Sequence, residues 1–314
     1  MARRQRLREH ARDVNGMIVV DKPGGMSSND AVQVAKRLFR AQKVGHTGSL
    51  DPLATGVLPL CFGEATKFSQ FLLDSDKKYW ARIKLGVRTD SGDSDGQILE
   101  TRDLGEVDAV MIERALEKFR GDIEQVPSMF SAIKHQGQPL YKLARQGIEV
   151  ERKARHVTIF SNKLVAFEQD EFELEIHCSK GTYVRRIAEE IGELLGCGAH
   201  VCALRRRKAG PYDESEMVTF AALERQCDCG GFEALDAQLL PVSSAVRNWP
   251  VVSLSDATAF YIRQGQPVIV PHAPTTGRVQ LMEQSADGSK QMFIGVGEIL
   301  DDGRVAPRRL VLAH

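Results

Sequence analysis

Gly45-His46-Thr47-Gly48-Ser49-Leu50-Asp51-Pro52-Leu53-Ala54-Thr55-Gly56 holds one carboxylate in a run otherwise poor in charge. Gly45, Gly48 and Gly56 lend backbone freedom, and Pro52 removes an N–H and steers Asp51 away from helical dihedrals. The chemistry describes a stiff, irregular loop presenting His46 and Asp51 among small and apolar neighbours. A carboxylate in such surroundings can serve as nucleophile or base. The same pattern suits a structural turn, and local chemistry leaves both readings open.

Working outward, Asp21-Lys22-Pro23-Gly24-Gly25-Met26-Ser27-Ser28 lies upstream, and Gly63-Glu64-Ala65-Thr66-Lys67 and Lys78-Tyr79 follow. Pro127-Ser128-Met129-Phe130-Ser131-Ala132-Ile133-Lys134 and Gly181-Thr182-Tyr183-Val184-Arg185 come later. Together these segments resemble the signature motifs of tRNA pseudouridine synthases, in particular the bacterial branch that modifies the T-loop uridine of tRNA. The likeness runs from about residue 15 to the C-terminus.

The resemblance implies an α/β catalytic domain over residues 15–240 with a mixed, largely antiparallel sheet. An RNA-gripping insertion is expected at about 126–155, a basic flexible arm at 1–14 and a small PUA-like β-barrel at 250–314. Pseudouridine formation breaks the C1′–N1 bond, turns the uracil and rejoins it through C5. No redox change or external group is involved, so neither cofactor nor metal is expected. By resemblance Asp51 is the reacting carboxylate, through attack on the nucleoside or removal of a proton from C2′. A dry pocket disfavours the ionised acid unless a cation compensates, and the match assigns Arg185 that task.

The target base is tucked into a folded loop and has to be extruded, then stacked on a ring. Tyr79 matches that ring, His46 the residue that enters the vacated loop, and Tyr183 and Leu204 the pocket lining. Lys22 matches the lysine–proline motif that buttresses the catalytic loop, with a phosphate contact in reach. Asp93, in the polar rim loop Thr89–Gly96, is expected to touch RNA; that loop lacks the Glu an EF-hand needs, and Arg102 stands there instead. Phe130 departs from the family, which often carries Tyr. The partner implied is a tRNA T-stem-loop, for which a monomer is adequate. A tRNA-folding chaperone would use the same base-flipping residues and stays open as an additional role. An Asp-dependent hydrolase of small molecules would leave the basic insertion without purpose.

Composition agrees with a globular chain of about two domains: 314 residues, with 42 Lys and Arg against 42 Asp and Glu. Charge is unevenly spread, with basic runs at Arg152–His156 and Arg205–Lys208 and acidic ones at Asp90–Asp95 and Glu168–Glu175, so a basic face on a neutral molecule is possible. No apolar run is long enough to span a membrane, and Met1–Arg8 is not followed by the apolar stretch of a secretory signal. Cys197, His200, Cys202, Cys227 and Cys229 are not spaced as zinc knuckles. With Cys61 and Cys178 they read as free thiols of a reducing cytoplasm.

Periodicity predicts a strand at Met17–Val20 and a helix from Ser27 or Ser28 to about Arg40 with Ala31, Val34, Ala35 and Leu38 on one face. It predicts a strand at Lys77–Gly86 and a helix capped by Asp108 and stopped by Gly121. In the insertion, Pro139 opens a short helix and Gly147 ends it. Strands near His156–Phe167 and Glu171–Ser179 precede a helix from about Thr182 to Leu195, buried through Val184, Ile187, Ile191 and Leu194 and ended by Gly196. Pro241–Pro250 reads as a linker, and Val279–Met282 and Met292–Ile299 as strands.

Overall fold

A computed structural model describes residues 11–285 and 289–312. Its larger part is a mixed sheet with strands in the order Gly16–Lys22, Thr55–Phe62, Ala199–Ala209, Lys77–Leu85, Glu171–Cys178, Arg155–Glu168 and Gly121–Gln125. Two short strands, Val44–His46 and Tyr212–Asp213, flank it. Every pairing is antiparallel except one: Arg205 and Arg206 lie parallel to Thr55 and Gly56. That joint lies at the exit of the 45–56 loop. Alternation along Lys77–Leu85 buries Ala81, Ile83 and Leu85 on the face that also carries half-buried Tyr79.

Helices cover this face. The Ser28–Leu38 helix starts in a capping box, in which Ser27 and Asp30 each accept from the other's backbone N–H. Ala31, Val32 and Ala35 are buried, with Val34 and Leu38 at the rim. The Asp108 carboxylate caps Ala109–Glu117 through Met111 N at 2.7 Å. Gly121 does not end that helix; it opens the next strand, after a turn at Lys118–Arg120. The Val184–Leu195 helix ends at Gly196 in the left-handed conformation. Its buried face passes through Gly192, whose Cβ would stand 2.2 Å from Ala199 N. Leu194, expected inside, is exposed, because the 3.6-residue period carries the inner stripe from Ile191 to Leu195. A further helix, Phe220–Asp236, kinked at Gly231, was not foreseen.

Two more expectations are corrected. Residues 1–10 of the arm lie outside the described residues, and 12–14 pack against the larger part. Arg12 bridges Ala41, its guanidinium stacks 4.4 Å from the Phe232 ring and pairs with Asp236, and Val14 is buried. Pro241–Pro250 is no free linker either. Val242–Val246 forms a 3₁₀ turn with Ala245 and Val246 buried, the Ser244 and Tyr212 hydroxyls are 2.7 Å apart, and Trp249 meets Phe71 edge-on at 5.0 Å.

The C-terminal strands Val251–Leu254, Gly277–Gln284, Gln291–Ile299 and Val305–Leu310 pair in that order. They form an open sheet, not a closed barrel, among the described residues. Asp256–Arg263 packs Ala259 and Ile262 into its core, and Val268 bridges the last strand. Phe293 meets Phe68 at 5.5 Å and Lys67 donates to Leu310 O at 3.3 Å, so this sheet sits directly on the larger part. No helix among the described residues is long and apolar enough to cross a membrane.

Candidate active site

The 45–56 loop joins the strands Val44–His46 and Thr55–Phe62. Ser28 Oγ accepts from Leu50 N at 2.7 Å and donates to Leu50 O at 3.2 Å. Lys22, fully buried, donates to Pro23 O at 2.8 Å, Met26 O at 2.5 Å and Pro52 O at 3.3 Å. Burial lowers the Lys22 ammonium to about 8, with Asp51 opposing. The Lys22 ammonium thus faces three main-chain carbonyls around the loop.

Asp51 meets Arg185, the second residue of the Val184–Leu195 helix. Arg185 Nε stands 2.9 Å from Asp51 Oδ2 and Nη2 3.1 Å from Oδ1. Nη1 donates to Ser91 O at 2.6 Å and Nη2 to Phe130 O at 2.9 Å. The Phe130 contact is made by the backbone, so the missing tyrosine hydroxyl does not touch it. Asp93 is corrected. Its side chain is buried, Oδ2 lies 3.3 Å from Arg185 Nη1, and Oδ1 accepts from Ser91 Oγ at 2.5 Å and Asp95 N at 3.2 Å. Burial raises its carboxyl, opposed by Ser91 and Arg185. It orients the arginine from behind and presents no free oxygen to RNA.

Tyr79 lies directly across from Arg206 in the sheet, and Leu204, 7% exposed, across from Ala81. Burial raises the Tyr79 phenol, with Arg206 opposing and Asp51 adding to the rise. The Tyr183 phenol is raised for the same first reason, and Asp51 adds there too. The Gln125 amide fixes the Tyr183 backbone, accepting from its N at 2.8 Å and donating to its O at 3.1 Å. Burial and the Arg206 guanidinium lower the His46 imidazole, whose Nδ1 accepts from Gly48 N at 3.3 Å. With Nδ1 accepting, Nε2 is the ring nitrogen left to donate. Asp51, Arg185, Tyr79, Tyr183 and Leu204 are carried on four segments of chain, Tyr183 and Arg185 sharing the start of one helix.

Residues 36–184 match a family model described as TruB family pseudouridylate synthase, N terminal domain. Residues 185–247 match the tRNA pseudouridylate synthase B C-terminal domain, and 250–311 pseudouridine synthase II TruB, C-terminal. The tRNA pseudouridine synthase B of Coxiella burnetii (strain Dugway 5J108-111) is 56% identical over 300 residues, 96% of each chain. The chain belongs to the TruB family of pseudouridylate synthases. The enzyme of the same name from Serratia proteamaculans (strain 568) is 53% identical, covering 98% of this chain and 99% of its own. Among solved structures, a chain of a Cbf5-Nop10-Gar1 complex superposes with a TM-score of 0.72 at 25% identity, covering 94% of this chain and 84% of that one. As a TruB-family pseudouridine synthase the protein is an isomerase acting on RNA.

Within this TruB-family chain three of the four basic side chains at 205–208 are engaged inside the protein. Arg205 pairs with Asp21 at 3.0 Å and Glu214 at 2.6 Å, and Arg207 pairs with Glu175. Arg206, between them, points inward at 1% exposure. Its Nε donates to Val57 O at 2.8 Å, Nη2 to Gly48 O at 3.1 Å and Nη1 to Ser49 O at 3.5 Å. Sequence reasoning missed it because an arginine among arginines reads as surface. The available signal was strand alternation, which puts the middle one on the opposite face. In the insertion, Pro139 caps the Leu140–Ala144 helix and Gly147 follows its end with φ +72°. Arg152, in the other basic run, donates to Pro127 O at 3.1 Å and pairs with Glu149.

Proposed function

We propose that this enzyme isomerises the T-loop uridine of tRNA to pseudouridine, with Asp51 as the group that acts on the nucleotide. The observation that carries the reading is the Asp51–Arg185 pair. The arginine side chain is 4% exposed and held through both Nη atoms by Ser91, Phe130 and Asp51, while the acid is 36% exposed. The arginine holds the acid aimed, and the acid faces what enters. Tyr79 offers its ring to the everted uracil, with Leu204 and Tyr183 at the sides. His46 is placed to enter the emptied loop.

The route balances with no external reagent. The C1′–N1 bond breaks, assisted by Asp51 attacking the nucleoside or taking a C2′ proton. Uracil rotates on Tyr79, C5 bonds to C1′ as the bond to Asp51 breaks or Asp51 returns the proton to C2′, the C5 proton is lost and N1 gains one. The names of the relatives support tRNA as substrate, and the free thiols fit a reducing cytoplasm.

Tritium release from C5-labelled uridine in a tRNA transcript tests the reading. The native protein releases one tritium per tRNA, and Asp51→Asn binds the transcript without releasing any. No release by the native protein, or undiminished release by the variant, refutes it. Full rescue of a deletion strain by Asp51→Asn would point to tRNA folding instead.

A further inference from the structure

The Asp51 loop is held residue by residue. Gly48 and Ser49 offer their carbonyls to Arg206, Leu50 is gripped by Ser28, the Asp51 side chain by Arg185, and the Pro52 carbonyl by Lys22 and by Gly25 N at 2.9 Å. Arg206 reaches both arms of the loop, because it also holds Val57 on the returning strand. All three of these bonds go to main-chain carbonyls. Burying a guanidinium is costly unless its protons are matched, so its place here asks for an explanation in geometry.

We propose that Arg206 is a positioning residue for the isomerisation, a latch that fixes the two arms of the Asp51 loop and so sets the bearing of Asp51 toward Arg185 and Tyr79. A planar fork can bind diverging carbonyls at once, whereas a lysine ammonium is a point charge on a flexible stem. The surroundings are shaped to this fork. Gly56 passes so near that a Cβ there would stand 2.3 Å from Arg206 O, and Tyr79 lies opposite in the sheet. The latch acts through Asp51 and touches no substrate. A small misplacement of a reacting group costs about 100-fold in rate.

The inference rests on Asp51 being the reacting group, so failure of the native enzyme to release tritium refutes the earlier reading; the latch is then tested by the Arg206→Lys crystal structure, a displaced loop supporting it and an unmoved loop overturning it. With an active native enzyme, Arg206→Lys is expected to lower the single-turnover rate about 100-fold, with affinity for a T-stem-loop hairpin within about threefold and a folded circular dichroism spectrum. A rate within about threefold of native overturns the proposal, since charge alone would then suffice. Loss of rate matched by loss of affinity overturns it too. If Arg206→Lys does not fold, Arg206→Ala with added methylguanidinium serves. Recovery of turnover by methylguanidinium but not methylammonium supports the latch, and equal or no recovery by both overturns it.

Discussion

Arg185 and Asp51 meet through two contacts, 2.9 and 3.1 Å, yet the arginine side chain is 4% exposed and the acid 36%. The partners are therefore unequal. Removing the arginine strands Asp93 as well as Asp51 and leaves the Ser91 and Phe130 carbonyls without their donor. Arg185→Met is expected to lower the unfolding free energy by about 3–5 kcal/mol. Asp51→Asn, at a partly hydrated site, should change it by less than about 1 kcal/mol. Both abolish turnover. Urea unfolding of the two variants decides the point, and equal destabilisation would contradict the asymmetry.

Tyr79 is expected to hold the everted base by its ring. Tyr79→Leu should weaken binding of a T-stem-loop hairpin by about 1–3 kcal/mol, while Tyr79→Phe keeps the affinity. Fluorescence anisotropy on both variants measures this. An unchanged Tyr79→Leu affinity would remove the ring from base capture.

Lys22 provides a pH signature. Burial holds its ammonium at about 8, below the ordinary 10.5. Between those values the unfolded chain carries the extra proton, so this lysine's contribution to stability rises with pH across the window. Below about 8 the charged form is disfavoured in the fold and the penalty is fully present. Relative to Lys22→Met, the native protein should gain stability from pH 8 upward, by at most about 1.4 kcal/mol per pH unit. Denaturant unfolding at a series of pH values tests it; parallel curves for the two proteins would speak against it.

Gly56 combines φ +97° with the Arg206 carbonyl pressed against it. Gly56→Ala should cost about 2–4 kcal/mol, from backbone strain together with a clash against main chain. Gly25, at φ +75° with open space around it, separates the two causes, and Gly25→Ala should cost only about 1 kcal/mol. Calorimetric melting of both variants gives the comparison, and similar losses would show that the close approach is relieved by relaxation.

Much of the architecture was legible because local patterns report local structure. The capping box at Ser27, the Asp108 cap, the alternation from Tyr79 to Leu85 and the Gly196 stop are short-range signals, and each lies where the residues indicated. Leu194 was misplaced because two adjacent leucines at a helix end leave the phase ambiguous until a neighbour such as Ala199 is present. The packed stretch at Val242–Val246 was read as linker because its burial depends on Tyr212 and Trp249, which are remote from or barely within the segment. The open C-terminal sheet has the same origin: strand closure is a relation among strands and leaves no mark in any one of them.

The chain by itself determined the Asp51 loop, the helix bearing Arg185, the strand bearing Tyr79 and the family to which such motifs belong, because glycine, proline and capping chemistry act over a few bonds. Only the tertiary structure decided which of three consecutive arginines turns inward, and that Asp93 stands behind Arg185 with no oxygen to spare. The face a strand residue takes depends on the register of the whole sheet, and a buried charge is defined by partners that arrive from distant parts of the sequence.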